Sequence, residues 1–594
     1  MSAVPSTSVR AAAAPLADLL QQADAWRRGA QWQSARQAYG QAQQAAPRDP
    51  VLAHNLALCH LALGEPEQAL RQARHALALA PDQWLSALLA AKALAALGRR
   101  DDALPVLEGL HARLPGQADV RLELARLCLH HTGDLVRLRA LLAPLKDHPA
   151  HGEEAALTEV MSWLYDRDPG VDALAVSRRL AAMAQHAGGL PAAQVAARPA
   201  AQLAAQPAAQ WTAHAAAARP RGRRRPRVGL LSPQFFASPV YFFTVGALAQ
   251  MAPALDLVFF HRGVKEDWAT REFSALAHAW HRVHGLGADA LAEAIAACGL
   301  DALIDLGGWM DPVGLKALAL APAPRIYKWV GGQSATTGLA GLAGYITDAF
   351  QSPAGSEAWH TEPLLRFDGG YASYAAPTYM PPARAAGSPG HDADGGSRLG
   401  VIANPAKVSR AFLGHIAARW PAWMARRQSD GLGPLQLCFI DRRYSHPPTR
   451  ARLQQALPGV ALDFITPASH EDYLRAVQRM HTVIDTFPYS GGLTTTEALC
   501  LGVPVRCATD GVLFCERHTL AHALHAGLHA ADVDLHRFNG VCDAAPDIDL
   551  RSEMPRRHAD VARQWLALLN PPPARRAATR TVRARPPRAT AHDT

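Results

Sequence analysis

The sequence is poor in the features that mark several common protein classes. It has eight cysteines in 594 residues and no Cys-x-x-Cys pair, which argues against a disulfide framework or a zinc ribbon. It has no apolar run of about eighteen residues, the length needed to span a bilayer. The first twenty residues contain one arginine and no strong apolar segment, so no signal peptide is indicated. We therefore expect a cytoplasmic protein without a membrane span.

A recognisable metal-ligand pattern is also missing. Three cysteines and two histidines do cluster late in the chain, at Cys500, Cys507, Cys515, His518 and His522. Their spacing does not match that of known metal sites. We interpret the cysteines as core residues and the histidines as surface residues, and we expect no bound metal.

Charge is scarce and unevenly placed. Charged residues make up 19% of the chain, and the formal net charge is +9. The segment 219–227 holds six arginines, and the tail 571–594 holds six arginines and one aspartate. These two short stretches carry +11 between them, which leaves the rest of the chain at about −2. A nucleic-acid-binding domain with a basic face is therefore not indicated.

The N-terminal part contains a repeat of 34 residues. Prolines recur with this spacing at Pro47, Pro81 and Pro115, and glycines at Gly64 and Gly98. The two glycines lie in the similar segments ALGEPEQAL and ALGRRDDAL. This period resembles the tetratricopeptide repeat, a helix–turn–helix unit that stacks into a solenoid with a concave groove. A generic helical bundle rich in Ala and Leu is the alternative.

From Arg227 onward, short apolar runs alternate with helical patterns. Nine such runs are predicted as strands: RVGLLS, LDLVFFH, LDALIDLGG, RIYKWVGG, LGVIAN, LQLCFID, ALDFITP, TVIDTFPY and VPVRCA. Strands that end in small or polar residues and alternate with helices indicate parallel, doubly wound sheets. Neither half contains a GxGxxG or Walker sequence, so a dehydrogenase or P-loop enzyme is not supported.

The predicted fold class is an α-solenoid followed by two Rossmann-like α/β lobes. We predict six segments: a repeat solenoid (18–150), a helical connector and Ala/Pro/Arg-rich linker (151–226), a first lobe (227–380), an inter-lobe linker (381–398), a second lobe (399–570) and a basic disordered tail (571–594).

Long motifs in the C-terminal half resemble the SPINDLY/O-GlcNAc transferase family. They are RVGLLSPQFFASPVYFF, DLGGWMDPVGLKALALAPAPRIYKWVGGQSATTGL, YITDAFQSP and IDTFPYSGGLTTTEALCLGVPV, in the order found in that family. The resemblance covers about 18–150 and 227–530. It implies tetratricopeptide repeats joined to a GT-B catalytic half, in which a donor nucleotide binds between the two lobes, with the acceptor on the first-lobe side.

The resemblance also implies a donor site in the second lobe. The segment NPAKV makes Lys407 the diphosphate-binding lysine, with Asn404 beside it. A cation there would stabilise the charge that develops on the leaving group. After the next strand, small and hydroxyl residues can present amides and hydroxyls to phosphate at a helix N-terminus: Gly491, Gly492, Thr494, Thr495 and Thr496. Glu497 aligns with the family carboxylate that holds the ribose hydroxyls, and Asp485 is expected to anchor the loop. The alternative is that the threonines only cap a helix.

In the first lobe, the family counterparts of Gln333, Thr336 and Thr337 line the cleft, although a pure turn role is the alternative. The sequence departs from the family at two histidines. The His-Pro pair after the first catalytic strand reads Ser238-Pro239, and the His-Thr-Thr of the second lobe reads Gly492-Leu493-Thr494. Ser238 is thus the counterpart of a catalytic histidine, yet a serine alone is no base near neutral pH.

Three functions follow as hypotheses. The leading one is an inverting, metal-free transferase that moves GlcNAc from UDP-GlcNAc to Ser or Thr of a protein held by the solenoid. The second keeps the fold but uses another nucleotide-sugar, as in bacterial enzymes that glycosylate flagellin or adhesins. The third is a repeat scaffold whose transferase half is degenerate and binds without catalysing.

Overall fold

The N-terminal part of the protein is a stack of antiparallel helix pairs. The computed structural model describes residues 7–29, 31–187 and 225–570. The helices of this part are α1 (Thr7–Arg28), α2 (Trp32–Ala45), α3 (Pro50–Ala62), α4 (Pro66–Leu79), α5 (Trp84–Ala96), α6 (Arg100–Arg113), α7 (Ala118–Leu127), α8 (Leu135–Leu142), α9 (Gly152–Trp163) and α10 (Ala173–Ala187). Helices α2, α4 and α6 begin 34 residues apart, as do α3, α5 and α7, so the sequence period is the period of the solenoid.

Small residues at the repeat positions explain the close packing of these helices. Ala35, Ala69 and Ala103 have no exposed surface, because each lies where one helix contacts the next. Gly64 and Gly98 follow the ends of α3 and α5 with φ of 74° and 76°. Glycine adopts this left-handed conformation without the steric cost of a Cβ, which ends each helix at a tight turn.

The solenoid is joined directly to the second lobe. After α7 the chain makes a π-helical turn at Cys128–Thr132. The Thr132 carbonyl accepts hydrogen bonds from the Thr449 hydroxyl (3.2 Å) and from Arg452 (2.8 Å). Gly133 approaches so closely that a Cβ there would lie 2.3 Å from the carbonyl of Pro405. The end of the repeat region therefore packs against the turn that carries Lys407.

The first lobe is a seven-stranded parallel sheet with helices on both sides. Its strands are β1 (Arg227–Ser232), β2 (Asp256–His261), β3 (Ala279–Arg282), β4 (Ala302–Asp305), β5 (Ile326–Lys328), β6 (Gly344–Thr347) and β7 (Leu364–Arg366), in the order β3-β2-β1-β4-β5-β6-β7. Its helices are α11 (Pro239–Met251), α12 (Trp268–Leu276), α13 (Ala288–Ala297) and α14 (Pro312–Ala319). Strands β3, β6 and β7 were not predicted.

The second lobe is a five-stranded parallel sheet. Its strands are β8 (Ser397–Val401), β9 (Leu435–Ile440), β10 (Leu462–Ile465), β11 (Thr482–Ile484) and β12 (Val505–Arg506), in the order β10-β9-β8-β11-β12. The helices that follow β8 are α15 (Arg410–Ser429), α16 (Pro447–Ala456), α17 (His470–Gln478), α18 (Leu493–Cys500), α19 (His518–His525), α20 (Ala530–Val533) and α21 (Leu550–Leu569). The predicted α-solenoid followed by two Rossmann-like lobes is confirmed.

The last helix, α21, was predicted to belong to the second lobe but packs mainly on the first. Its Arg557 also donates a hydrogen bond to the carbonyl of His525 (2.7 Å) of the second lobe. The Trp565 ring lies 5.2 Å from the Trp329 ring and 5.7 Å from the Phe367 ring, both of the first lobe. Arg325 of the same lobe donates hydrogen bonds to the carbonyls of Leu568 (3.2 Å) and Leu569 (3.1 Å). Burial of the apolar side chains of α21 against the first sheet therefore holds this helix on the first lobe.

The predicted inter-lobe linker is packed along the second lobe. Arg384 donates its amide to the carbonyl of Leu501 (2.9 Å), and the Ser388 carbonyl accepts from Ala545 (2.9 Å). Strand β8 begins at Ser397, two residues before the predicted start of the second lobe at 399. Part of the predicted connector and the whole of the predicted tail (188–224 and 571–594) lie outside the described residues. No helix in the described ranges has the length and apolarity to cross a bilayer.

Candidate functional site

The site lies where the carboxyl ends of the strands of both sheets face each other. In a parallel sheet, ligands bind beyond these ends, at the point where the strand order reverses. In the second sheet that point lies between β8 and β11, which are neighbours. In the first it lies between β1 and β4. The two lobes meet here, since the Ser334 hydroxyl is 3.0 Å from the Tyr489 hydroxyl and its carbonyl accepts the Cys515 amide (2.9 Å).

Lys407 occupies the reversal point of the second sheet. Its Nζ donates to the carbonyl of Ser490 (2.7 Å), in the loop that follows β11, and lies 4.2 Å from the centroid of the Tyr489 ring. Burial lowers the pKa of Lys407 to about 8, against the opposing effect of the Asp485 carboxylate. The lysine therefore carries its charge in a site of restricted hydration, where attraction to an anion is strong.

Asp485 holds the loop between β11 and α18. Its carboxylate accepts the amide of Gly491 (2.9 and 3.0 Å) and the hydroxyl of Thr519 (2.6 Å). Burial raises the pKa of Asp485, although these hydrogen bonds act against the rise. The Gly491 amide, predicted to bind phosphate, is thus already bonded, and Gly491 shapes the loop instead.

The first turn of α18 has unpaired donors beside Lys407. The amides of Leu493 and Thr494 find no acceptor among the described residues, and such amides bind anions at a helix N-terminus. Two of the threonine hydroxyls bond to the helix backbone. Thr495 donates to the Gly491 carbonyl (3.1 Å) and Thr496 to the Gly492 carbonyl (3.4 Å). The helix backbone takes these hydroxyls, whereas the Thr494 hydroxyl bonds to no described residue.

Glu497 belongs to a hydrogen-bonded chain with His470 and Tyr379, two residues that sequence reasoning missed. Its Oε1 is 2.9 Å from Nε2 of His470, and Nδ1 of His470 is 2.9 Å from the Tyr379 hydroxyl. Burial raises the pKa of Glu497, although the hydrogen bond to His470 opposes the rise. The His470 ring stacks on Tyr473 at 5.8 Å. A carboxylate fixed in this way offers its remaining lone pairs to hydroxyl donors.

Of the three first-lobe candidates, Gln333 alone keeps a free polar atom. Its Nε2 donates to the Ile346 carbonyl (2.8 Å), while its buried Oε1 has no partner among the described residues. Thr336 and Thr337, predicted to line the cleft, bond to a buried carboxylate instead. Both are almost fully buried and donate their hydroxyls to the carboxylate of Glu362. Their function is to satisfy a buried charge, which otherwise costs several kcal/mol.

Two further predicted residues also bond within the protein. The Ser238 hydroxyl is buried and donates to the carbonyl of Gln234 (3.0 Å), and no described base contacts it. Asn404 accepts the amide of Ala406 (3.0 Å) and so caps the turn that positions Lys407. Asn404 therefore stabilises the turn that carries Lys407.

The predicted surface position of the two clustered histidines is wrong, because His518 is buried and His522 is partly buried. Sequence reasoning also missed Tyr165, whose ring stacks on Tyr489 at 4.8 Å with 10° between the planes. The only signal for Tyr165 was an aromatic residue in an irregular helical stretch. Cys500, Cys507 and Cys515 are buried free thiols, as predicted.

Comparisons with known proteins agree with the motifs. No family model matches the chain. It is 29% identical over 303 residues to a probable UDP-N-acetylglucosamine–peptide N-acetylglucosaminyltransferase SPINDLY of Oryza sativa, covering 49% of this chain and 31% of that protein. The protein of the same name in Solanum lycopersicum is 26% identical over 298 residues, with 48% and 30% covered. The chain thus spans about a third of the length of these curated relatives.

Among solved structures, an O-GlcNAc transferase mutant from Thermobaculum terrenum has the same overall fold. Its TM-score is 0.55 at 23% identity, with 94% of both chains covered. That similarity extends from the repeats through both lobes, whereas the curated matches cover about half of this chain. Sequence motifs, fold and relatives all confirm the resemblance of this chain to the SPINDLY/O-GlcNAc transferase family.

Proposed function

We propose that this protein is an inverting glycosyltransferase of GT-B architecture that transfers a sugar from a nucleotide-sugar to Ser or Thr of a protein. UDP-GlcNAc is the proposed donor, because the curated relatives are named as UDP-N-acetylglucosamine–peptide transferases. A nucleoside diphosphate leaves in such a reaction, so the site must hold two adjacent phosphates and stabilise the charge that develops on them.

The observation that carries this proposal is the pairing of Lys407 with the N-terminus of α18. The lysine is anchored to the Ser490 carbonyl, and the unpaired amides of Leu493 and Thr494 lie just beyond the same loop. A partly buried cation and helix-terminal amides are complementary to a diphosphate. These groups supply the stabilisation that a metal provides in other transferases, so we propose that no metal is needed.

The remaining groups fit the two ends of the donor. The carboxylate of Glu497 would accept hydrogen bonds from ribose hydroxyls, and His470 and Tyr379 hold it in place. Gln333 Oε1, unpaired in the first lobe, would accept from the sugar or the acceptor. Because no base contacts Ser238, we propose that the acceptor hydroxyl attacks the anomeric carbon directly and loses its proton to water or to a donor phosphate.

The solenoid would hold the protein acceptor. Its last helices pack against the second lobe, and Tyr165 reaches the loop beside Lys407. An extended acceptor segment lying in the concave surface could therefore enter the cleft. The eight free thiols are compatible with the proposed cytoplasmic location.

A thermal-shift panel of UDP-, GDP- and CMP-linked sugars tests the donor, because a bound ligand raises the melting temperature by mass action. We expect UDP-GlcNAc to raise it in the wild type and not in Lys407→Ala. A transfer assay with radiolabelled UDP-GlcNAc and a peptide library should then label Ser or Thr. A shift with CMP-sugars alone would support the second hypothesis, which the replacement of the family histidine by Ser238 favours. No shift with any nucleotide would support the non-catalytic scaffold.

A further inference from the structure

His518 is the first residue of α19 and lies against the donor loop. An ideal Cβ on Gly492 would be 3.9 Å from Cγ and 4.0 Å from Cδ2 of the His518 ring. Gly492 is the position at which the resembling family carries the histidine of its His-Thr-Thr motif. In this chain the imidazole of His518, on α19, therefore lies beside Gly492, the position where the family has its histidine.

Hydrogen bonds fix the tautomer of this ring. Gln351 of the first lobe donates its Nε2 to the carbonyl of Phe514 (2.6 Å), so its Oε1 is oriented as an acceptor. Nδ1 of His518 lies 3.2 Å from that Oε1 and must supply the proton. Nε2 of His518 consequently carries the lone pair and is a hydrogen-bond acceptor.

The ring is also held from the second lobe. The His518 amide donates to the hydroxyl of Ser490 (2.9 Å), the residue whose carbonyl receives Nζ of Lys407. Burial, with smaller contributions from His522 and Lys407, lowers the pKa of His518 well below its ordinary value. The imidazole is therefore neutral near pH 7, and Nε2 is available as an acceptor.

Nε2 has no partner among the described residues, although His518 is only 8% exposed. An acceptor that has no partner in the protein is available to a ligand that supplies a donor. Phosphate oxygens are acceptors themselves, so the diphosphate does not suit this atom. A sugar hydroxyl does, and in a nucleotide-sugar the sugar is attached directly to the phosphate that Lys407 and α18 would bind.

We propose that Nε2 of His518 accepts a hydrogen bond from one hydroxyl of the transferred sugar and so determines which nucleotide-sugars bind. The inference rests on the proposed function. It assigns to α19 an imidazole that the family motif places on α18. The neighbouring donors would hold the diphosphate, and His518 would read the sugar.

Two variants and one control test the assignment by calorimetry with UDP and UDP-GlcNAc. His518→Phe keeps an aromatic ring but removes the acceptor. We expect the Kd for UDP to stay within about twofold and the Kd for UDP-GlcNAc to rise about tenfold, the usual effect of one lost hydrogen bond. His518→Gln, which retains a side-chain acceptor, should recover part of that affinity. His522→Phe, one turn later on α19 and stacked on Phe243 at 5.5 Å, should leave the ratio of the two Kd values unchanged.

A set of UDP-GlcNAc analogues, each lacking one hydroxyl, tests the same bond in the wild type. On the wild type, one analogue should bind about tenfold more weakly than UDP-GlcNAc. On His518→Phe, the same analogue and UDP-GlcNAc should bind with equal affinity. If His518→Phe weakens the binding of UDP and UDP-GlcNAc equally, or if no analogue behaves in this way, the role of His518 is overturned and the proposed function is not. A wild type that binds no nucleotide would overturn the proposed function as well.

Discussion

The ring of Tyr165 lies on the ring of Tyr489, with centroids 4.8 Å apart and planes 10° from parallel. Tyr165 lies between α9 and α10 of the helical region, and Tyr489 belongs to the loop between β11 and α18. The same Tyr489 contacts Lys407 through its ring and Ser334 of the first lobe through its hydroxyl. One side chain therefore connects the helical region, both lobes and the predicted diphosphate lysine.

This stack predicts that the helical region influences donor binding. Tyr165→Ala removes the aromatic contact, worth about 0.5–1.5 kcal/mol, and should weaken UDP binding about fivefold by loosening the Tyr489 loop. Tyr165→Phe should bind UDP like the wild type, because the Tyr165 hydroxyl makes no hydrogen bond to a described residue. Calorimetry on both variants measures the effect. Equal affinity in Tyr165→Ala would mean that the stack does not support the site.

The lowered pKa of Lys407 predicts a pH dependence for the diphosphate site. With a pKa of about 8 in the free protein, the lysine is mostly charged at pH 7 and mostly neutral at pH 9. The Kd for UDP should therefore rise about tenfold between these values. Lys407→Arg should show no such rise, since an arginine stays charged. A profile for the wild type that matches the arginine variant would contradict the assignment.

The same pKa has a consequence for stability. Its folded-state value lies below the ordinary 10.5, so between pH 8 and 10.5 an unfolded chain binds a proton that the folded chain has lost. The contribution of Lys407 to the free energy of unfolding therefore becomes more favourable as the pH rises through this window. Denaturant titrations of the wild type and Lys407→Met at pH 7.5 and 9.5 isolate this contribution, because the variant lacks the titrating group.

The Glu362 network predicts a stability effect in the first lobe. Burial opposes ionisation of Glu362, yet its pKa is lowered by the nearby His360 ring, whose Nδ1 lies 3.7 Å from Oε2, and by hydrogen bonds from Thr336 and Thr337. Thr336→Val should reduce the free energy of unfolding by about 1–3 kcal/mol, because a buried carboxylate oxygen then loses its hydroxyl donor and keeps only the amide of Thr361 (3.2 Å). Thr336→Ser, which keeps a hydroxyl, is the control for urea denaturation. A valine variant as stable as the serine variant would contradict the network.

A lowered pKa in a carboxylate also gives a sign for acid stability. The stability that ionised Glu362 contributes is fully present above the ordinary pKa of 4.5 and is lost as the pH falls through the folded value. Glu362→Gln should therefore have a lower free energy of unfolding than the wild type at pH 7. In acid, the difference between the two free energies should become smaller. A difference that stays constant with pH would assign the effect to packing.

The packing of Trp565 predicts that α21 stabilises the first lobe. Trp565→Ala should cost about 3–5 kcal/mol, as for other fully buried tryptophans, because its ring packs between Tyr327, Trp329 and Phe367. Arg563→Ala on the exposed side of α21 should change stability by less than about 0.5 kcal/mol. Hydrogen exchange should show the loss of protection in strand β5 of the first lobe. Loss confined to the second lobe would contradict this placement.

The proposed metal-free donor site predicts insensitivity to chelators. Lys407 and the amides of α18 would provide the positive potential that a divalent ion supplies elsewhere. Sugar transfer should therefore proceed at the same rate with excess EDTA as with added Mg²⁺ or Mn²⁺. Loss of activity in EDTA that either ion restores would show that these groups are insufficient.

The regular features were predictable from sequence, and the long-range ones were not. The 34-residue period gave the starts of six helices, and nine apolar runs gave nine strands. Strands β3 and β7 escaped detection because AWHR and LLR are short and polar at one end. Lys407 and the loop before α18 were recognised because strand-end motifs are local. The use of Thr336 depends on Glu362, 26 residues away in sequence, and no local pattern indicates that pairing.

The burial of His518 has the same explanation. Its sequence neighbours, RHTLAH, look like a polar helix. The ring is enclosed by Phe514 just before the helix and by Gln351 and Tyr489, which are distant in sequence. A local pattern identifies groups that lie along one element. It does not reveal which elements will close around them.

Helix α21 gives the chain two crossings between the lobes, one through the segment before β8 and one where the helix returns to the first sheet. A chimera that joins this first lobe to the second lobe of a relative must therefore keep Leu550–Leu569 with residues 227–380, although they are far apart in sequence. Cutting the chain once between the lobes would expose the Trp329 surface on one fragment and the Trp565 face of α21 on the other. The transferable unit is discontinuous, and substrate exchange by lobe swapping needs two junctions.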